Sequence, residues 1–256
     1  MPGLNDLFFE LLQEVFLYYV ADCRRNQYEW VRLIVVCKRW KEILESPIFW
    51  KDVAVEYRWT GRALPVALRN SHGALLSISG SMYGPDNIYG REYPDLVLMQ
   101  RNQHRIRGLN LEISRKFLRM WTTPITKLRE LSLTMRFAGP NWYNEAALLS
   151  HFDSPELQKL ELSYFPWAAV RPALKGGLGE LTLVNNHREE LHTEELLAAL
   201  EEMPHLRRLR IEGWHKTSVA KEVQPVTVPR LESLAGSCVC CTTFLSFIAA
   251  PALRHM

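Results

Sequence analysis

Apolar positions recur with two different periods along this chain of 256 residues. Up to about residue 50 the period is helical. Leu7 to Val20 and Tyr28 to Cys37 each repeat apolar residues at helical spacing, and residues 38–45 form a third such run. Within it Trp40, Ile43, Leu44 and Phe49 stack on one face, while Lys38, Lys41, Glu42 and Glu45 point away. Pro47 ends this helix, because its ring disfavours the helical conformation at Ser46 and it offers no backbone N–H. Trp50 therefore follows a sharp corner. Three helices in about 45 residues make too small a core to stand alone.

Beyond residue 100 the pattern changes to apolar-x-x-Leu-x-apolar. It occurs at Ile106-Leu109-Leu111, Leu128-Leu131-Leu133, Leu157-Leu160-Leu162, Leu178-Leu181-Leu183 and Leu206-Leu209-Ile211. Weaker copies stand at Leu231-Leu234 and Leu253-Met256, and successive starts lie 22, 29, 21, 28, 25 and 22 residues apart. Pro155, Pro204, Pro229 and Pro251 each lie two residues before a first apolar position. A unit of this length gives one short strand and one return segment, cannot bury its own apolar face, and needs stacked neighbours to complete a core. The predicted return segments are Asn144 to Phe152, Trp167 to Leu174 and Thr193 to Met203, the last with Thr193 as a helix cap above Leu196, Leu197 and Leu200. Between the two regions, Ala63 to Ser71 reads as a short helix and Ala74 to Ser79 as an alternating strand. Residues 80–91, with four glycines or prolines, read as a loop.

If the repeat strands place their leucines inward, the intervening residues form an outward face. These are Asn110 and Glu112; Glu130, Ser132 and Thr134; Lys159, Glu161 and Ser163; Glu180, Thr182 and Val184; Arg208, Arg210 and Glu212. The face mixes both charges, and Glu130, Ser132, Lys159, Glu161, Glu180, Thr182, Arg208 and Arg210 are its candidate substrate-binding residues. Exposed faces of stacked repeats commonly bind proteins. The competing reading is an ordinary solvated sheet face.

Composition narrows the picture without naming a ligand. A hydrophobic content of 47% is that of a globular chain, and a net charge of +3 is too small to argue for nucleic acid or an anionic membrane. Met1 to Leu12 carries Asp6 and Glu10 and no basic residue, unlike a targeting signal, and the apolar run Phe244 to Leu253 is too short to span a bilayer. Five cysteines and no Asn-x-Ser/Thr site fit a reducing compartment, cytoplasmic or nuclear. Pro251 to Met256 begin a repeat and stop, which points to a truncated chain.

Catalytic patterns are wanting. The chain has no Gly-x-Ser-x-Gly, no phosphate loop ending in Gly-Lys-Ser/Thr and no His-Glu-x-x-His. Gly176-Gly177-Leu178-Gly179 reads as a turn inside a repeat, and Cys238-Val239-Cys240-Cys241 as structural thiols on a buried strand. His187 and His192 read as loop surface. No active site, metal or cofactor is assigned.

Four blocks carry a family resemblance: Leu7-Phe8-Phe9-Glu10-Leu11-Leu12-Gln13-Glu14-Val15-Phe16, Trp30-Val31-Arg32-Leu33, Val36-Cys37-Lys38-Arg39-Trp40 and Ser46-Pro47-Ile48-Phe49-Trp50. In this order and with these gaps they resemble an F-box domain of the type abundant in fungi, over residues 4–55. The family usually opens with Leu-Pro where this chain has Leu7-Phe8. The repeats resemble an irregular form of the leucine-rich repeat, with only Asn185 and Asn186 near its asparagine position. The expected fold is α/β: a three-helix F-box (4–55), a linker helix, first strand and loop (56–91), and an irregular leucine-rich-repeat α/β solenoid (92–256). The resemblance implies a non-catalytic receptor subunit of a Skp1-cullin-F-box ubiquitin ligase. Its partners would be a Skp1-like adaptor, through it a cullin and RING subunit, and an unidentified protein substrate, with no nucleic acid or membrane partner. By position, Leu7, Phe8, Leu11, Val15, Val36, Cys37 and Trp40 are the expected adaptor contacts. The alternative is a repeat-based interaction scaffold with a degenerate F-box and no ubiquitin role.

Overall fold

The computed structural model describes residues 7–23, 29–56, 63–82, 94–136, 146–185, 190–214, 216–218, 224–237 and 244–255. The chain begins with α1 (Phe9–Asp22), a 3-10 helix (Glu29–Val35), α2 (Lys38–Leu44) and a 3-10 turn (Pro47–Phe49). The second helical run thus winds more tightly than an α-helix, while the first and third are α-helical as their period predicts. Leu12 and Phe16 from α1, Trp30, Ile43, Leu44, Phe49 and Trp50 form the buried side of this unit. Trp30 meets Trp50 edge-on, with ring centroids 4.8 Å apart. The Trp50 indole Nε1 donates to the Leu44 carbonyl at 2.8 Å, which satisfies a polar atom inside the core and holds the corner after Pro47.

The strands come next. β1 (Asp52–Glu56), β2 (Leu76–Met82), β3 (Ile106–Ile113), β4 (Glu130–Met135), β5 (Lys159–Ser163) and β6 (Glu180–Val184) stand side by side in chain order. After β7 (Glu190–His192) come β8 (Arg208–Glu212), β9 (Lys216–Ser218), β10 (Val226–Thr227), β11 (Ser233–Ser237) and β12 (Ile248–Ala249). Among the described residues β1 to β6, β8 and β11 make one eight-stranded sheet, and β7–β9 and β10–β12 make two small ones. All these pairings are parallel. His255 extends the large sheet by one bridge to Ser233. The expected α/β class is therefore found, as a mixed structure around a parallel sheet. β1 departs from the expected course: its Val53 and Val55 are buried and its five residues pair with β2, where the sequence pattern predicts no strand. The predicted loop also starts later, because Gly80, Ser81 and Met82 belong to β2; its residues 83–91 lie outside the described residues.

The helical returns are α3 (Ala63–Asn70), α4 (Pro94–Arg101), α5 (Arg115–Met120), α6 (Trp167–Val170) and α7 (Thr193–Glu201), with 3-10 segments at Ala146–Phe152 and Arg171–Ala173. The Ser114 hydroxyl caps α5 by accepting from the Phe117 N–H. Thr193 does not cap α7. The capping position is His192, and Thr193 lies inside the first turn, fully buried.

Register explains why the repeat closes a core. Leu109, Leu131, Leu160, Leu181, Leu209 and Leu234 are consecutive partners across six strands, and Leu111, Leu133, Leu162, Leu183 and Ile211 form a second row. All are buried. At about 1.5–3 kcal/mol for each buried aliphatic side chain, these rows are the main stabilising force between neighbouring units. Two glycines permit close approaches. A Cβ at Gly80, whose φ is +134°, would stand 1.9 Å from the Val55 carbonyl oxygen. One at Gly176, within the expected turn, would stand 2.7 Å from the Glu202 carbonyl oxygen.

Candidate functional site

Alternation along a strand sends the residues between the leucines to the opposite face of the sheet. There they also fall into rows. Asp52, Ser77, Gly108, Glu130, Lys159, Glu180, Arg208 and Ser233 are consecutive partners. Ala54, Ser79, Asn110, Ser132, Glu161, Thr182, Arg210 and Ala235 are the next row. The eight candidate binding residues are thus brought together on four neighbouring strands, two from each. Ser163, expected outward, is buried on β5, at the end where Tyr164 and Phe165 turn the chain back.

Side-chain size divides this face. Toward β1 the rows hold serines, Gly108, Ala54 and Asn110, and toward β8 they hold long charged residues. The small residues leave a groove of about 580 Å³ over β1 to β5. Its opposite wall is the C-terminal half of α1, with Leu17, Val20 and Ala21, together with Ile48. One wall is therefore aliphatic, while the floor is polar.

Most charges on the sheet face are already neutralised. Arg136 meets Glu112 at 3.0 Å, Arg208 meets Glu180 at 2.8 Å, and Arg210 meets Glu212 at 2.7 Å. Among the described residues no ion pair or side-chain hydrogen bond engages Glu130, Lys159 or Glu161, although Glu130 and Lys159 are register partners. At the lower rim, Glu156 accepts from Lys127 Nζ at 2.8 Å and Arg129 Nε at 3.1 Å. Those two hydrogen bonds, with the attraction of both cations, hold its carboxyl below the usual glutamate range.

The second candidate surface is on α1. Phe8, Leu11, Val15 and Tyr18 form one stripe and are 78%, 52%, 44% and 76% exposed, while Leu12 and Phe16 on the other side are buried. Of the other expected contact residues, Val36 is exposed, whereas Leu7, Cys37 and Trp40 are half-buried. Trp40 stacks edge-on against Phe16 at 4.9 Å, and Arg39 donates to the Leu7 carbonyl, so α2 braces both ends of this helix face. Tyr18, Tyr19 and Val35 are further exposed apolar residues, outside the contacts that the motif blocks predict. The helical stripe Phe8-Leu11-Val15-Tyr18 could have indicated Tyr18, because it continues the same spacing.

Neither surface assembles a reactive centre among the described residues, and no group of three or more His, Cys, Asp or Glu there could hold a metal ion. His192 is exposed, as expected, but it ends β7 and holds the capping position of α7 instead of lying in a loop, and it is engaged: its ring stacks on Trp167 and its Nδ1 lies 3.5 Å from Glu195. Cys238, Cys240, Cys241, His187 and Asn186 lie outside the described residues. No described helix is long and apolar enough to cross a membrane. No protein-family model matches this chain, and no curated protein matches it.

Proposed function

We propose that the chain is the substrate-receptor subunit of a Skp1-cullin-F-box ubiquitin ligase, with residues 4–55 as the F-box and 92–256 as leucine-rich repeats in a solenoid. The observation that carries this reading is the apolar stripe on α1. A small helical unit that buries Leu12 and Phe16 yet leaves Phe8, Leu11, Val15 and Tyr18 in water presents a face suited to a partner. The motif order supplies the identity of that partner, a Skp1-like adaptor.

The departure from Leu-Pro leaves the backbone suited to the motif. Phe8 has φ −59°, inside the window that proline imposes. Its N–H donates no hydrogen bond among the described residues, so a proline there would remove none.

On this reading the protein does no bond chemistry. The adaptor holds the F-box, the strand face holds a protein substrate, and the ligase gains its rate from bringing the substrate lysine near a charged ubiquitin carrier. The test is capture of the purified chain by Skp1, run beside a Leu11→Asp, Val15→Asp double variant. Both residues are solvent-facing, so the variant should keep its circular dichroism spectrum and lose binding. A folded parent that fails to bind Skp1 overturns the proposal.

A further inference from the structure

The groove between α1 and the strand face has a chemistry more specific than a generic protein-binding surface. On a face where Glu112, Glu180 and Glu212 each hold an arginine, Glu130 and Glu161 form no ion pair among the described residues, although Lys159 neighbours both, and both line the groove. Asp52 adds a third carboxylate to the lining of the groove, which also includes Lys51 and Lys159. Glu130 and Glu161 lie on adjacent strands, two residues out of register. From strand spacing and rise their Cα atoms are about 8 Å apart on the same face. That separation suits a planar group that donates in two directions. A guanidinium does so, with five N–H donors spread over a rigid plane; an ammonium's three donors radiate from a single nitrogen and span a shorter distance.

We propose that this groove takes an extended peptide segment carrying an arginine next to an aliphatic residue. The guanidinium sits between Glu130 and Glu161, and the aliphatic side chain lies against Leu17 and Val20 of α1. The small floor residues Ser77, Gly108 and Ser79 leave room for the backbone between these two anchors. The volume of about 580 Å³ falls within the range of sites that enclose a few side chains. Lys159, beside both carboxylates, opposes the cation and tunes the affinity downward. The unpaired carboxylates disfavour an anionic ligand, nucleic acid included. This assignment rests on the receptor reading only in supplying the class of substrate; the groove chemistry is independent of the adaptor.

The experiment is fluorescence anisotropy of the full chain with a short labelled alanine-based peptide bearing a central Arg-Leu pair, beside Glu-Leu and Arg-Ser versions. The Arg-Leu peptide should bind about tenfold more tightly than either control, and more weakly as salt rises. Glu130→Gln with Glu161→Gln, near-isosteric changes on solvent-facing positions, should remove about tenfold of that affinity and should not weaken the Glu-Leu peptide. Lys159→Gln should raise it by about threefold. Equal binding of the three peptides, binding of none, or an unchanged affinity in the folded double variant overturns the proposal. Skp1 capture on the same proteins separates the two readings. Lost peptide binding with adaptor capture intact concerns the groove alone, and lost capture with peptide binding intact overturns the receptor reading alone.

Discussion

Arg105 offers the sharpest test of how the helical returns are tied to the sheet. It lies just before β3, and its guanidinium reaches back to the end of α3. Nη1 donates to the Leu68 carbonyl at 3.3 Å, Nη2 to the Ser71 hydroxyl at 2.5 Å and the Ala74 carbonyl at 3.1 Å, and Nε to Ala74 at 3.3 Å. Burial lowers the pKa of this arginine from its ordinary value, as desolvation does for any cation. One side chain thus closes the C-terminal turn of α3 and the approach to β2. Arg105→Ala removes three acceptors' partner and leaves Ser71, which is fully buried, without it. A hydrogen bond to a charged group contributes about 1.5–3 kcal/mol, and half-exposure reduces each of these to about 1 kcal/mol. The expected loss is about 2–3 kcal/mol, or about 5–10 °C in Tm for a chain of this size. Urea denaturation measures it, and hydrogen exchange at the Ser71 and Ala74 amides, which close this turn, localises it. Arg105→Lys should recover less than half, since an ammonium cannot span three acceptors. A stability loss under about 0.5 kcal/mol for Arg105→Ala, or full recovery by lysine, would refute the clamp.

Two further outcomes rest on the geometry. Gly80→Ala should cost more than about 3 kcal/mol in urea denaturation, because its Cβ meets the Val55 backbone at 1.9 Å with φ at +134°, and neither strand can retreat without breaking the β1–β2 pairing. Glu156 has a folded pKa below its ordinary 4.5, so the stability it contributes is present above that value and is lost as pH falls through the folded pKa. Carboxyl NMR titration should place its midpoint below that of an unpaired surface glutamate, and Lys127→Met with Arg129→Met should raise it.

Much of the architecture is legible in the chain because the repeat is a packing requirement written as a spacing. Leu131, Leu160, Leu181 and Leu209 recur where each strand must supply a core residue, and the structure pairs them in one register. β1 is hard to detect because Asp52–Glu56 carries only Val53 and Val55 as an alternating signal and lacks the repeat leucines. Thr193 misleads because threonine is a good cap by chemistry, yet the chain enters α7 one residue earlier, from β7 through His192. Ser114, a cap of the same chemistry that does serve α5, gives little signal because the hydrophobic run after it is short.

Local pattern was enough to identify the helical beginning, the strand repeat and the set of residues opposite the leucines, since each depends on neighbours within a few positions. The pairing state of Glu130, Lys159 and Glu161, the groove, and the placing of the C-terminal half of α1 over the small-residue end of the sheet were decided only in three dimensions. The physical reason is distance along the chain. Leu17 and Ser132 face one groove across more than a hundred residues, and no periodicity carries information that far. Exposure on α1 was settled the same way: Leu11 and Leu12 are the same residue type, and only the packing of one side of the helix into the core, where Trp40 also meets Phe16, buries the second and leaves the first in water.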